Sequence, residues 1–308
     1  YVAYENGGGA FFIPYFVALI TAGIPLLILE YGIGQMMQGS APSALKKINK
    51  NFEWVGWFAL LAGMVISIYY AAVMAWAVEY LFHSFSMSLP WAENAGGFFD
   101  SVTGDSVAKG EMWQIQPWLL LCLFAVWITV FLIICKGVHR VGKVVMISVP
   151  LPLIILVILA IRGITLEGSL EGIEFYLRPD FEKLKDYKVW IAAYGQIFFS
   201  LSIGFGIMIA YASYMPRKSD ISNNAFITSF ANCATSFLAG FAVFSVLGYL
   251  AQVQGKPVSE VATAGPGLAF VTYPTAIAQL GEFGSIWPPL ISVLFFIMLL
   301  ALGIDSLF

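Results

Sequence analysis

The chain has 308 residues, of which 60% are hydrophobic and only 11% charged, with a net charge of −3. Soluble domains carry about a quarter of their residues charged, so this composition excludes one and identifies an all-α integral membrane protein. The dispersed basic residues and slight acidic balance argue against a nucleic-acid partner, and the three cysteines lie in apolar segments, where they read as small core residues.

Seven apolar spans follow in order, at about 10–37, 54–82, 117–135, 144–161, 189–214, 225–250 and 286–308. Each is near the ~20 residues that a bilayer requires. A glycine-rich lead-in, ENGGGAF, precedes the first. The basic loops at 38–53, 136–143 and 215–224 are expected to be cytoplasmic, and those at 83–116, 162–188 and 251–285 to face outward. Trp54, Trp57, Trp91, Trp113, Trp118, Trp190 and Trp287 fall near span ends, where headgroups are expected. The loop at 162–188 is expected to hold a short helix. The loop at 251–285 contains two short helical pieces, SEVATAG and YPTAIAQLG, joined at a Pro-Gly bend, and reads as an outer lid or plug. The first residue is Tyr and the last apolar run reaches Phe308, so a fragment of a longer protein is expected.

Within these spans, some residues are costly for a membrane. Ser200, Ser202, Gly204 and Gly206 crowd one short stretch of the fifth span, and glycine costs about 1 kcal/mol relative to alanine in a helix interior. The stretch is either a seam for close helix packing or a break lining an ion or substrate site. Glu30 ends an apolar run with no neighbouring charge, and the unpaired amides of a broken helix would suit its carboxylate. Asn232 and Ser236 lie one helical turn apart, as cation ligands or as interhelical hydrogen-bonding groups. Asp305 and Ser306 close the last span as hard oxygen donors. Pro150 and Pro152 weaken the fourth span by removing backbone donors.

ENGGGAF, IPLLILEYGIGQ at Ile24–Gln35, IYYAAV at Ile68–Val73, FFSLSIGFG at Phe198–Gly206 and LGIDS at Leu302–Ser306 together resemble the neurotransmitter:sodium symporter family. The likeness runs from the second half of that family's first helix into its eighth. It implies the bacterial leucine-transporter-like, inverted-repeat fold, incomplete here, with a discontinuous helix around 200–206. By the same resemblance, Ile66, Tyr70, Phe199, Ser200, Ser202, Phe205 and Ser306 bind substrate, with Tyr70 on its carboxylate and Phe199 closing over it. Two sodium ions are implied, the first at Ser200 and Asn232 and the second at Leu302, Asp305 and Ser306. Glu30 tethers the unwound backbone, Tyr214 belongs to the cytoplasmic gate, and Gly142 and Pro152 mark where the fifth family helix opens. Tyr15, Gln196, Ser200, Asn232 and Ser236 match an anion site. Serine at 236, where chloride-independent relatives place an acid, makes chloride dependence the hypothesis.

The function expected is sodium-coupled import of a small neutral amino acid, aliphatic or aromatic, by alternating access, as a single multi-pass transporter domain in a plasma membrane of the bacterial inner-membrane kind. An amino-acid sensor of the same fold without transport is the alternative. A seven-helix receptor and a channel fit less well, and no nucleophile–base pair suggests an enzyme.

Overall fold

The computed structural model describes residues 2–104, 116–262, 265–280 and 286–307. Asp105, Lys109, Glu111 and Trp113 of the second loop, part of SEVATAG, Gly281 of the second lid piece and the terminal Phe308 lie outside them. In chain order the α-helices are α1 (Val2–Glu5), α2 (Phe12–Ala18), α3 (Ile24–Met37), α4 (Ala41–Ile48), α5 (Glu53–Ser84), α6 (Ala95–Thr103), α7 (Pro117–Ile134) and α8 (Val138–Ser148). They continue with α9 (Pro150–Ile164), α10 (Ser169–Leu177), α11 (Tyr187–Ser200), α12 (Ile207–Ala212), α13 (Ile221–Gln254), α14 (Val258–Val261), α15 (Tyr273–Ala278) and α16 (Trp287–Ile304).

Among the described residues, six helical runs are long and apolar enough to cross a membrane: 9–37, 50–84, 117–134, 140–164, 221–254 and 287–304. The remaining expected span, 189–214, is the pair α11 and α12, neither of which is long enough alone. Two π-helical turns escaped the sequence reading. One, Leu19–Gly23, joins α2 to α3, and the other, Leu268–Thr272, extends α15 backwards. Helix α6 in the second loop was also not anticipated, whereas the helix expected in 162–188 is α10.

The chain forms two compact units, one of residues 1–66 and 174–237, the other of 67–173 and 238–308. In the first, the glycines of ENGGGAF have a backbone task. Gly8 and Pro179 form an antiparallel bridge, and the Asp180 N–H donates to the Gly7 carbonyl at 3.0 Å. A Cβ on Gly8 or Gly9 would run into the Arg178 or Leu177 carbonyl oxygen. Only chain without side chains can lie that close to another backbone. Nearby, Phe12, Tyr176 and Phe237 pack edge to face, and burial pushes the Tyr176 phenol up to about 12.

The second unit is built on aromatic packing. Trp91, Phe270 and Phe296 cluster around Tyr80, and Tyr273 stacks on Phe295 with ring centroids 4.7 Å apart. The Tyr80 hydroxyl donates to the Phe270 carbonyl and the Tyr273 hydroxyl to the Ala242 carbonyl, both at 2.8 Å. Trp91 is therefore a fully buried core residue and not an interfacial anchor, whereas Trp54, Trp57, Trp118 and Trp287 are exposed. In the described part of the outer loop, Phe270, Tyr273, Ala276 and Ile277 are buried in this core. Cys122 and Cys233 are buried, but Cys135 is exposed at the end of α7, contrary to its reading as a core residue.

Candidate functional site

The break between α11 and α12 is made by three left-handed residues, Ser202 (φ 54°), Gly204 (φ 87°) and Gly206 (φ 73°). Helix α11 ends in a Schellman pattern: the Ser202 N–H reaches the Phe199 carbonyl at 3.2 Å and the Ile203 N–H the Phe198 carbonyl at 3.0 Å. Serine occupies the left-handed position that glycine or asparagine usually fills, a conformation costly for a residue with a Cβ. Gly206 then starts α12. A Cβ there would sit 2.7 Å from the Ala41 Cβ, so the turn both needs positive φ and passes close to α4.

Glu30 meets this break directly. Its Oε1 accepts the Gly204 N–H at 2.7 Å, while its Oε2 is buried with no hydrogen-bond partner among the described residues. The carboxylate thus takes a backbone donor that helix breakage has freed. Helix α12 lies along α3 because Gly34 presents no side chain: a Cβ there would strike the Ile209 carbonyl oxygen and come within 2.8 Å of the Ala212 Cβ. Below the break, Gln35 Nε2 donates to the carbonyls of Pro216 and Ser219, at 2.8 and 3.0 Å.

At the end of α11, Asn232 Nδ2 donates to Ser200 Oγ at 2.6 Å. Asn232 Oδ1 and the free lone pair of Ser200 remain as hard oxygen donors, the chemistry a sodium ion takes. Tyr15 is buried and its hydroxyl pairs with Cys233 Sγ at 3.4 Å. Gln196 is half-buried and Ser236 exposed, so of the residues matched to an anion site the described hydrogen bonds join Ser200 to Asn232 and turn Tyr15 elsewhere. Phe199 and Tyr214 are exposed, and Ile66, Ser202 and Phe205 are half-buried.

The second unit gathers the other oxygen set at the end of α16. The Ser306 N–H bonds the Gly303 carbonyl at 3.1 Å, one residue short of its α-helical partner, which frees the Leu302 carbonyl from the ladder. Asp305 and Ser306 follow on the same turn. Gly303 makes room for α5, since a Cβ there would meet the Met74 sulfur, and one turn before Met74 the Tyr70 side chain hydrogen-bonds with Ser306. A carboxylate, a hydroxyl and a loose carbonyl are suited to a hard monovalent cation. Gly142 lies in α8 with nothing near its Cβ position, and Pro152 is buried in the first turn of α9. Ser148 is the residue that sequence reasoning overlooked. Its Oγ lies 2.7 and 2.9 Å from the two Asp305 oxygens, and the available signal was a serine two residues before Pro150 in an otherwise apolar span.

Comparison with known proteins gives a consistent picture. The model of the sodium:neurotransmitter symporter family matches residues 1–111 and 98–308. An uncharacterized sodium-dependent transporter of Methanocaldococcus jannaschii is 45% identical over 99% of this chain and 61% of its own length. The sodium-dependent serotonin transporter of Drosophila melanogaster is 42% identical over the whole chain, and the human sodium- and chloride-dependent GABA transporter 2 is 39% identical. The chain spans 53% and 55% of these last two, so it corresponds to a little over half of such relatives.

Proposed function

The chain belongs to the sodium:neurotransmitter symporter family and is a multi-pass plasma-membrane protein, and we propose that it carries a neutral aliphatic or aromatic amino acid inward together with sodium, by alternating access. The observation that carries this reading is the helix broken at 201–206, with Glu30 holding a freed amide and Ser200–Asn232 beside the helix end. Unsatisfied backbone is tolerated at membrane depth only where protein or a cavity receives it. Two sodium ions are proposed, one at Ser200 and Asn232 and one at Leu302, Asp305 and Ser306. Each ion that moves inward down the membrane potential contributes about 2.3 kcal/mol per 100 mV. Apolar Ile66, Phe199 and Phe205 favour a substrate with an uncharged side chain.

Uptake of labelled amino acids into proteoliposomes tests this. A neutral amino acid is expected to accumulate only under an inward sodium gradient, and competition by all twenty identifies which one. Sodium-dependent binding without accumulation would instead support a sensor. For chloride, Ser236 supplies no charge to offset sodium nearby, so an anion would do so. Replacing chloride by gluconate is expected to lower uptake at least about tenfold, the factor corresponding to ~1.4 kcal/mol. Uptake that is indifferent to chloride removes the anion from the scheme.

A further inference from the structure

Helices α8 and α9 share a direction but not a continuous hydrogen-bond ladder. Pro150 and Pro152 bring no N–H, so the carbonyls of Met146 and Ser148 lose the partners that stand four residues on. Val149 alone separates the two helices, at φ −83° and ψ −49°, with its N–H on the Val145 carbonyl at 3.1 Å. At this joint Ser148 is buried, only 7% exposed, and its hydroxyl reaches Asp305 beyond the end of α16. The single hydroxyl proton is placed between both oxygens of Asp305, a residue 157 positions further along the chain.

That placement matters because the edge between the two carboxylate oxygens is also the seat of a cation bound through both of them. An uncompensated carboxylate is costly inside a membrane. A hydroxyl donor lessens that cost through a charge-assisted bond, strengthened by the low dielectric around it. A cation arriving at the same edge neutralises the charge and takes the lone pairs that the hydroxyl was using. We infer that Ser148 is a positioning residue that holds the Asp305 carboxylate between cations, and that a sodium ion displaces it and so releases the α8–α9 joint. This rests on the proposal that Asp305 is a sodium ligand. The joint is suited to respond, since two of its carbonyls are already without helical donors and the Ser148–Asp305 bond ties it to α16.

Linkage fixes the sign of the effect. If sodium must break the Ser148–Asp305 bond, then a protein lacking that bond binds sodium more tightly. Full-length protein in nanodiscs provides two readouts, equilibrium binding of radioactive sodium and hydrogen exchange of peptides covering Val145–Leu153. In the wild type, exchange across the joint is expected to rise with sodium. In Ser148→Ala it is expected to be fast without sodium and insensitive to it, with sodium binding at least about tenfold tighter, the lower end of what one hydrogen bond to a charged group contributes. Ser148→Thr keeps the hydroxyl and should restore the sodium-dependent change. Where alanine gives no stable protein, Ser148→Cys, similar in shape and a weaker donor, should shift both readouts in the same direction. An alanine variant with unchanged or weaker sodium binding, or with a joint that still answers to sodium, overturns the inference, as does a threonine variant that behaves like alanine. Asp305→Ala separates the two levels. If it leaves the number of bound sodium ions unchanged, Asp305 is not a ligand; if it removes one of the two ions while Ser148→Ala changes nothing, only the role of Ser148 falls.

Discussion

Replacing Glu30 with leucine is expected to cut sodium-driven uptake at least about tenfold, while Glu30→Gln stays within about threefold of the wild type. The Gly204 N–H at the helix break donates to Oε1 of the buried Glu30 at 2.7 Å. Leucine fills similar space but accepts nothing, and a part-buried donor left without its acceptor costs up to ~1–3 kcal/mol. Glutamine keeps an oxygen where Oε1 now lies. Because Glu30 Oε2 has no protein partner among the described residues, the amide group loses no existing contact there. The strained Ser202 adds to the effect, since a left-handed non-glycine residue persists only where its surroundings hold it. Uptake into proteoliposomes, with sodium binding measured on the same preparations, checks this. A leucine variant that transports normally would show that the break holds its shape without the carboxylate.

The second large effect concerns two glycines of the same helix that should respond in opposite directions. Gly34→Ala is expected to lose ~1–3 kcal/mol, because the new methyl meets the Ile209 carbonyl, and backbone cannot rotate aside as a side chain can. Helix α12 would have to move off α3, and with it the α12 end of the break. Gly32→Ala, half a turn away, would touch only the Ile221 Cδ1 at 3.5 Å, an ordinary contact. It should gain up to about 1 kcal/mol from better helix propensity. Thermal unfolding of the two variants in nanodiscs gives the answer directly. Equal shifts of the same sign would mean that the α3–α12 approach is not what Gly34 provides.

Residues whose cost is intrinsic to a membrane announced themselves without coordinates. Glu30, Asp305 and the serine–glycine stretch are anomalous in lipid whatever surrounds them, whereas the all-helical class came from the apolar spans, and the broken helix, which the residues alone left open against a packing seam, from the family resemblance. Interactions among ordinary residues left no such trace. Trp91 lies beside a loop and resembles an interfacial tryptophan, yet it is stacked on Tyr80 in the core. The π-turn at Leu19–Gly23 has no signature in an apolar run, because one extra residue per turn does not alter hydrophobicity. The fate of the outer loop was equally hidden, since a helix with Phe270 and Tyr273 can cover a surface or fill a core with the same composition.

The amino-acid sequence alone thus determined the solvent, the helical class, the position of the break and its family, because each depends on the number, spacing or type of residues along the chain. Tertiary structure alone decided the partners: Gly204 for Glu30, Asn232 for Ser200, Ser148 for Asp305 and the Ile209 carbonyl for Gly34. The physical reason is that a hydrogen bond or a close approach is fixed within a few tenths of an ångström. Helix rotation, a π-turn or a proline joint moves side chains by more than that while leaving the hydrophobic pattern unchanged.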